Sequence, residues 1–438
     1  MLKRRYRFTI VALRAPLLIQ YLWRSIAEIY TFDTLCHDFA MFKKARVYLD
    51  YAAATPLSAK ALAAMKPHLK EIYGNPSAVH AEGVAARQAV ESAREQIART
   101  LQVKPEYLTF TSGGTEANNL AIRGAVSALR ASGRELSDMQ VVTTKIEHPS
   151  VLKTAEALQR DGVDVQYAAV NEVGQVDIEK LRALLNKKTV LFSVAFANSE
   201  IGTIQKLRAI KKVLEEAERK YGTTIYFHVD AAQALLWLPC QLEWLQADLV
   251  SLDVGKCNGP KGVGILMRSR RVKLCSSVYG GGQESGLRPG TENVAGVIGA
   301  SVALEEAQLY FKKRAEKVAA VRDAGIKHLI ETIPSLVLNG PIGEERLVNN
   351  INISIPGLDT EFATIVLDKH GFAVSTKSAC AGAGGGESIV VKEISGDPAR
   401  SRSTLRLSLS PEISLKDIER LTTVLQSQVQ KMSRFNPV

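Results

Sequence analysis

Cysteine is scarce in this 438-residue chain. The five present (Cys36, Cys240, Cys257, Cys275 and Cys380) are scattered and odd in number. They form neither a disulfide framework nor paired zinc-ligand spacings, so a reducing, cytoplasmic setting is expected and a metal site is not. Long apolar runs are missing as well: no stretch of about eighteen residues is free of charge, which argues against a membrane span. Aromatics make up only 6% of the chain and nowhere alternate with a Lys/Arg run. The formal charge of +11 therefore reads as a general field that attracts anionic cofactors or acidic partner proteins, and not as a nucleic-acid surface. Internal repeats and low-complexity linkers are absent too. With 46% hydrophobic and 23% charged residues, collagen-like, coiled-coil and disordered chains are excluded. The length suffices for one large domain with a satellite, or for two or three ordinary domains.

Residues 1–40 carry a basic start (Lys3, Arg4, Arg5, Arg7) and an apolar run from Phe8 to Trp23 that Arg14 and Pro16 interrupt. The run is too short and too charged for an anchor, and no small-residue cleavage site follows it. An amphipathic surface helix is one reading; a translation start at Met41 is the preferred one. From about residue 57, helical periodicity alternates with short β-rich runs at 107–111, 141–144, 189–196, 223–229 and 249–252. Helix patterns cover 85–101, 116–132 and 207–221. This alternation predicts an α/β fold with a mainly parallel sheet covered on both faces. A helix over 294–314 leads out of this part. Strands within 336–355, 372–375 and 404–409 and a final helix at 415–432 then predict a smaller α+β domain. The expected division is an extension to residue 40, a segment 41–56 packing with the small domain, a large domain 57–300 and a small domain 301–438.

In open parallel sheets, ligands sit beyond the carboxyl ends of the strands. Polar residues cluster there repeatedly: Ser112-Gly-Gly-Thr-Glu116, Glu147-His148, Asn198-Ser199-Glu200, Asp230-Ala-Ala-Gln233 and Asp253-Val-Gly-Lys256. Gly113, Gly114 and Thr115 open a helix after a strand, a cradle for an oxyanion, although a capped turn is an equal reading. Asp230 closes a buried strand, where an acid needs a partner. Lys256 follows 26 residues later, and a partly desolvated lysine can form a Schiff base with an aldehyde. Cradle, lysine and acid together are what a pyridoxal-phosphate enzyme needs. His148 on the same rim suits ring stacking and proton exchange.

These residues carry a resemblance. The chain from about Val47 to Leu425 is similar to cysteine desulfurases of the NifS/IscS type, within the class V aminotransferases. The resemblance rests on Tyr48-Leu-Asp-Tyr-Ala-Ala-Ala-Thr-Pro56, Gly74-Asn-Pro-Ser-Ala-Val-His80, Thr111-Ser-Gly-Gly-Thr-Glu-Ala-Asn-Asn119, Glu147-His148 and Asp230-Ala-Ala-Gln233. It continues through Lys256, Gly259-Pro-Lys-Gly262, Gly280-Gly-Gly-Gln-Glu284, Arg288-Pro-Gly-Thr291 and Ser378-Ala-Cys380. It implies the fold type I architecture of pyridoxal-phosphate transferases, with a seven-stranded sheet. By the same resemblance Gly114 and Thr115 bind the cofactor phosphate, and His148 stacks on the ring. Asp230 then faces the ring nitrogen, Gln233 and Ser199 the ring hydroxyl, and Lys256 holds the cofactor covalently. Thr291 reaches the phosphate of a neighbouring subunit, implying a homodimer. Arg406 clamps the substrate carboxylate, with Asn198 beside it, a task that suits a guanidinium.

Cys380, in a glycine-rich segment, is by the resemblance the thiolate that takes sulfur from L-cysteine. Alanine leaves, and Cys380 holds a persulfide for sulfur-acceptor or iron–sulfur scaffold proteins. Its 26-residue distance from Arg406 resembles the branch with an extended sulfur-delivery loop. Three positions depart from the family pattern. Gly255 stands where a histidine is usual, Asp253 where serine or threonine is usual, and Ser199 where asparagine is usual. Asp253 repels phosphate if it points inward, so weakened cofactor retention is expected. Alternatives are a selenocysteine lyase or another class V enzyme, and, in a different class, a degenerate sulfur carrier or scaffold without turnover.

Overall fold

The computed structural model describes residues 46–376 and 386–435. The expectations for residues 1–40 and for Cys380 therefore lie outside the described residues. Among those described, seven strands make one sheet in the order β2-β8-β7-β6-β5-β3-β4. They are β2 (Leu108–Thr111), β3 (Gln140–Thr144), β4 (Asp164–Ala168), β5 (Thr189–Ala195), β6 (Tyr226–Asp230), β7 (Leu249–Asp253) and β8 (Gly264–Arg268). Strands β4, β3, β5, β6 and β7 run parallel. β8 is antiparallel to both β7 and β2.

Successive residues of these strands feed two different cores, as a pleat of period two requires. Val142, Phe192, Phe227, Val250 and Met267 join one cluster. Their neighbours Val141, Leu191, Tyr226, Leu249 and Leu266 join the other. Helices cover both sides. In the helix Leu207–Tyr221 the buried residues are Leu207, Ile210, Val213, Leu214 and Ala217, a three-and-four spacing that makes one apolar stripe. Gly222, at φ 61°, ends that helix in the left-handed region where glycine is favoured.

Two strands of this sheet were not anticipated: β4, which mixes polar and apolar residues and is half-buried, and β8, whose apolar run is only Ile265-Leu266-Met267. The helix expected over 294–314 is two helices, Val294–Leu309 and Phe311–Thr332. They part at Tyr310, whose φ of −113° and ψ of 9° are not helical.

A second sheet has the order β12-β13-β10-β9 and is antiparallel throughout. Its strands are β9 (Val337–Leu338), β10 (Asn350–Ser354), β12 (Ser375–Thr376) and β13 (Thr404–Ser408). Strand β1 (Val47–Tyr48) pairs in parallel with β11 (Phe372–Ala373). Asp50 then bridges to Ser408 on β13. This places residues 50–55 between the second sheet and the carboxyl ends of the first. Among the described residues no helix is long and apolar enough to cross a membrane.

Candidate active site

At the carboxyl ends of the parallel strands lies a cavity of about 220 Å³. Its walls include Gly114, Thr115, Asn118, His148, Asn198, Ser199, Asp230, Gln233, Asp253 and Lys256. Every strand end singled out by the sequence thus contributes. A roomier cleft of about 650 Å³ is bordered by Arg94 and Glu284. None of the strand-end residues reaches it, so volume does not mark the reactive place; chemistry does.

Asp230 is 7% exposed, and its carboxylate is satisfied by two donors. Asn118 Nδ2 donates to Oδ2 at 2.7 Å, and the Ala232 N–H to Oδ1 at 3.0 Å. Asn118 Nδ2 also donates to Ser150 Oγ at 2.8 Å. Ser150 Oγ in turn lies 2.7 Å from His148 Nδ1. The Ser150 backbone N–H also reaches Nδ1, at 3.1 Å, as His148 caps the helix Pro149–Arg160. A backbone N–H can only donate, so Nδ1 is an acceptor and the neutral ring carries its proton on Nε2. Sequence reasoning gave Asn118 and Ser150 no role, because neither is chemically distinctive alone.

Lys256 ends a short turn after β7. Its Nζ donates to the carbonyls of Ala52 at 2.5 Å and Ala53 at 2.8 Å. Gln233 Nε2 donates to the same Ala52 carbonyl at 2.9 Å. Thr55 fastens this segment to the lysine turn through its N–H and Oγ1, both on the Gly255 carbonyl at 3.2 and 3.0 Å.

The glycine turn works as expected of an anion cradle. Gly113, at φ 156°, caps the helix Gly114–Ala131, whose first-turn N–H groups have no partner within the helix. β8 passes directly beneath: a Cβ on Gly264 would stand 2.4 Å from the Gly113 carbonyl carbon. Asp253 points into this cradle. A Cβ on Gly114 would lie 3.3 Å from Asp253 Cβ and 3.6 Å from its Oδ2. The Gly255 N–H donates to Asp253 Oδ1 at 3.0 Å. An oriented amine, a buried carboxylate and a cradle of backbone donors fit an anionic aldehyde cofactor. The Asp253 carboxylate is the one element opposed to it.

The remaining candidates either do other work at the cavity wall or lie outside it. Asn198 borders the cavity, but its carboxamide holds a turn: Nδ2 donates to the Ile146 carbonyl at 2.8 Å, and Oδ1 accepts from the N–H groups of Glu200 and Ile201. Arg406, on β13, meets the cavity wall only through Ser199, whose carbonyl accepts from Nη1 at 3.1 Å. Thr291 is exposed and does not border the cavity. Cys240 and Cys257 are fully buried, and burial pushes both thiols far above their ordinary range. Neither suits nucleophilic work, although Cys257 adjoins Lys256. Behind His148, Glu147 accepts from Thr144 Oγ1 at 2.6 Å and from the Ala195 N–H at 2.7 Å. Burial pushes its carboxyl up to about 8, and the Asp230 charge adds to the rise.

The aminotransferase class-V family matches residues 47–421. Cysteine desulfurase IscS of Dictyoglomus turgidum is 39% identical over 394 residues, which is 90% of this chain and 97% of that protein. A NifS-like protein of known structure superposes with a TM-score of 0.80 at 30% identity, covering 88% of this chain and 100% of its own. SspA, solved in complex with cysteine, gives a TM-score of 0.70 at 32% identity over 83% of this chain and 99% of its own. On the match over residues 47–421 and on these relatives, this chain belongs to the class-V aminotransferases, in the branch of the NifS- and IscS-type cysteine desulfurases.

Proposed function

We infer that the protein is a pyridoxal-phosphate-dependent cysteine desulfurase. It would convert L-cysteine to L-alanine and leave the sulfur as a persulfide on Cys380. The observation that carries this reading is the meeting of Lys256, Asp230 and the Gly114–Thr115 helix start in one cavity. The relationship to cysteine desulfurase IscS and to the cysteine-bound SspA supports L-cysteine as the substrate.

In this reading the N–H groups at Gly114 and Thr115 hold the cofactor phosphate, and Asp230 receives the pyridine nitrogen's proton as a hydrogen bond. Gln233 and Ser199 attend the ring hydroxyl, and His148 covers one ring face. When bound, pyridoxal phosphate supplies an aldehyde for amines to condense with and a ring that accepts the electron pair released at the substrate α-carbon. The Lys256 amine takes and returns protons at that carbon. His148 carries its own proton on Nε2, because Nδ1 is occupied by Ser150. Arg406 binds the substrate carboxylate, and Cys380 receives the sulfur. A homodimer in which Thr291 serves the neighbouring site completes the proposal, with sulfur-acceptor or iron–sulfur scaffold proteins as onward partners.

The test is direct. Purified protein loaded with cofactor should absorb in the visible, Lys256→Ala should abolish the band, and Cys380→Ser should keep it while ending alanine release. Asp253 in the cradle favours one rival, a sulfur carrier without turnover. Failure of the wild type to release alanine from L-cysteine would establish that rival.

A further inference from the structure

Arg406 is a buried cation whose partners are few. Its side chain keeps 2% of its accessible surface, and Asp50 Oδ1 lies 2.7 Å from Nη2. Nη1 is spent on the Ser199 carbonyl. Nε is buried and has no acceptor among the described residues. A guanidinium stays charged, and a buried charge without a counter-ion is strongly destabilising. The chain therefore supplies one carboxylate and leaves a donor over.

Asp50 differs from Arg406 in its freedom. Its backbone is pinned by neighbouring sheet bonds, Leu49 N–H to the Ala373 carbonyl at 2.8 Å and Ser408 N–H to the Leu49 carbonyl at 2.7 Å. Its side chain, by contrast, keeps 20% of its surface. The root is fixed, and the carboxylate has room to turn toward water.

We propose that Asp50 is a built-in counter-ion that occupies Arg406 in the place of a substrate carboxylate and yields it when L-cysteine binds. The proposal rests on reading Arg406 as the carboxylate clamp. It makes Asp50 a positioning residue that sets how tightly the site takes carboxylates. An empty site keeps its cation neutralised, and an arriving carboxylate must work against the charge already there. Without that charge the guanidinium would attract any small anion.

Asp50→Asn separates charge from shape, since the carboxamide oxygen can still accept from Nη2. The probes are 3-mercaptopropionate, which has the substrate's thiol and carboxylate but no amine, and its uncharged amide. Calorimetry on the cofactor-loaded protein should show 3-mercaptopropionate binding about tenfold tighter to Asp50→Asn than to wild type. Affinity for the amide should stay within about twofold, and the KM for L-cysteine should fall. Arg406→Gln separates the two readings. If it leaves 3-mercaptopropionate binding intact, the clamp reading fails. If it weakens binding while Asp50→Asn brings no tightening, the counter-ion proposal fails alone. Should Asp50→Asn not fold, Asp50→Ala is examined with added formate. Formate that restores its folding or raises its Tm, without moving the wild type, supports the proposal; formate without effect overturns it.

Discussion

Asn118 Nδ2 donates a buried hydrogen bond of 2.7 Å to Asp230, and the oxygen of that carboxamide, Oδ1, has no partner among the described residues. The same Nδ2 reaches Ser150 and, through it, His148. Asp230 and His148, the groups proposed to meet the ring nitrogen and the ring face, are therefore wired together. Asn118→Ala removes the donor and leaves a buried carboxylate oxygen unsatisfied, a loss of about 1–3 kcal/mol. Cofactor affinity, measured by equilibrium dialysis, should drop by roughly tenfold or more. Unchanged affinity would mean Asp230 needs no support from this side.

Asp253 would oppose a phosphate held at the Gly114–Thr115 turn. Like charges about 4 Å apart near a protein surface repel by about 1–4 kcal/mol. Asp253→Ser should therefore tighten pyridoxal-phosphate binding about tenfold at low salt. The gain should shrink as ionic strength rises, because salt screens exposed charge. Titration of cofactor-free protein by fluorescence checks both, and a variant no tighter than wild type counts against the repulsion.

Glu147 sets a pH dependence of stability. Its carboxyl, ordinarily near 4.5, is raised to about 8 by burial first and then by the Asp230 charge. Between those values the folded protein holds a proton that the unfolded chain has released. Stability therefore falls as pH rises through this window, by up to about 1.4 kcal/mol per pH unit. Glu147→Gln keeps the Ala195 N–H bond on its oxygen, can donate from its amide to Thr144 Oγ1, and cannot ionise. Denaturant midpoints of the two proteins should be close near pH 5 and should separate in favour of Gln by pH 8. Parallel curves would show that Glu147 is ionised in the fold.

Gly264→Ala tests the cradle's floor. The new methyl would meet the Gly113 carbonyl carbon at 2.4 Å, and backbone on both sides leaves little room to yield. A loss of about 1–3 kcal/mol in stability is expected. Phosphate affinity should fall with it, since the Gly113 turn must shift. Thermal unfolding and cofactor titration report the two effects separately.

The parallel strands were legible in the sequence because their residues are buried on both faces and so form near-continuous apolar runs. β3 and β6 are buried at every position. β4 was not, since Asp164, Gln166 and Tyr167 are only half-buried there. The cavity-lining side chains at 148, 230, 233 and 256 could be singled out because each is chemically distinctive at a strand end. What surrounds them could not. Lys256 is held by the Ala52 carbonyl 204 residues away, and Asp50 meets Arg406 across 356. A carbonyl bond leaves no side-chain signature, and long-range pairing cannot be read from local pattern. Asp253 was foreseen as a hazard; its inward direction needed the backbone.

Thr55 and its neighbours clasp the lysine turn, while Asp50 bridges to the strand Thr404–Ser408 near the end of the chain. Residues 50–55 must therefore wait for the strand Thr404–Ser408 before they find their place. Contacts of such separation are slow to form. A nascent chain halted before residue 404 would hold Lys256 without the anchored segment that encloses it, so the cavity closes only once that strand has been made.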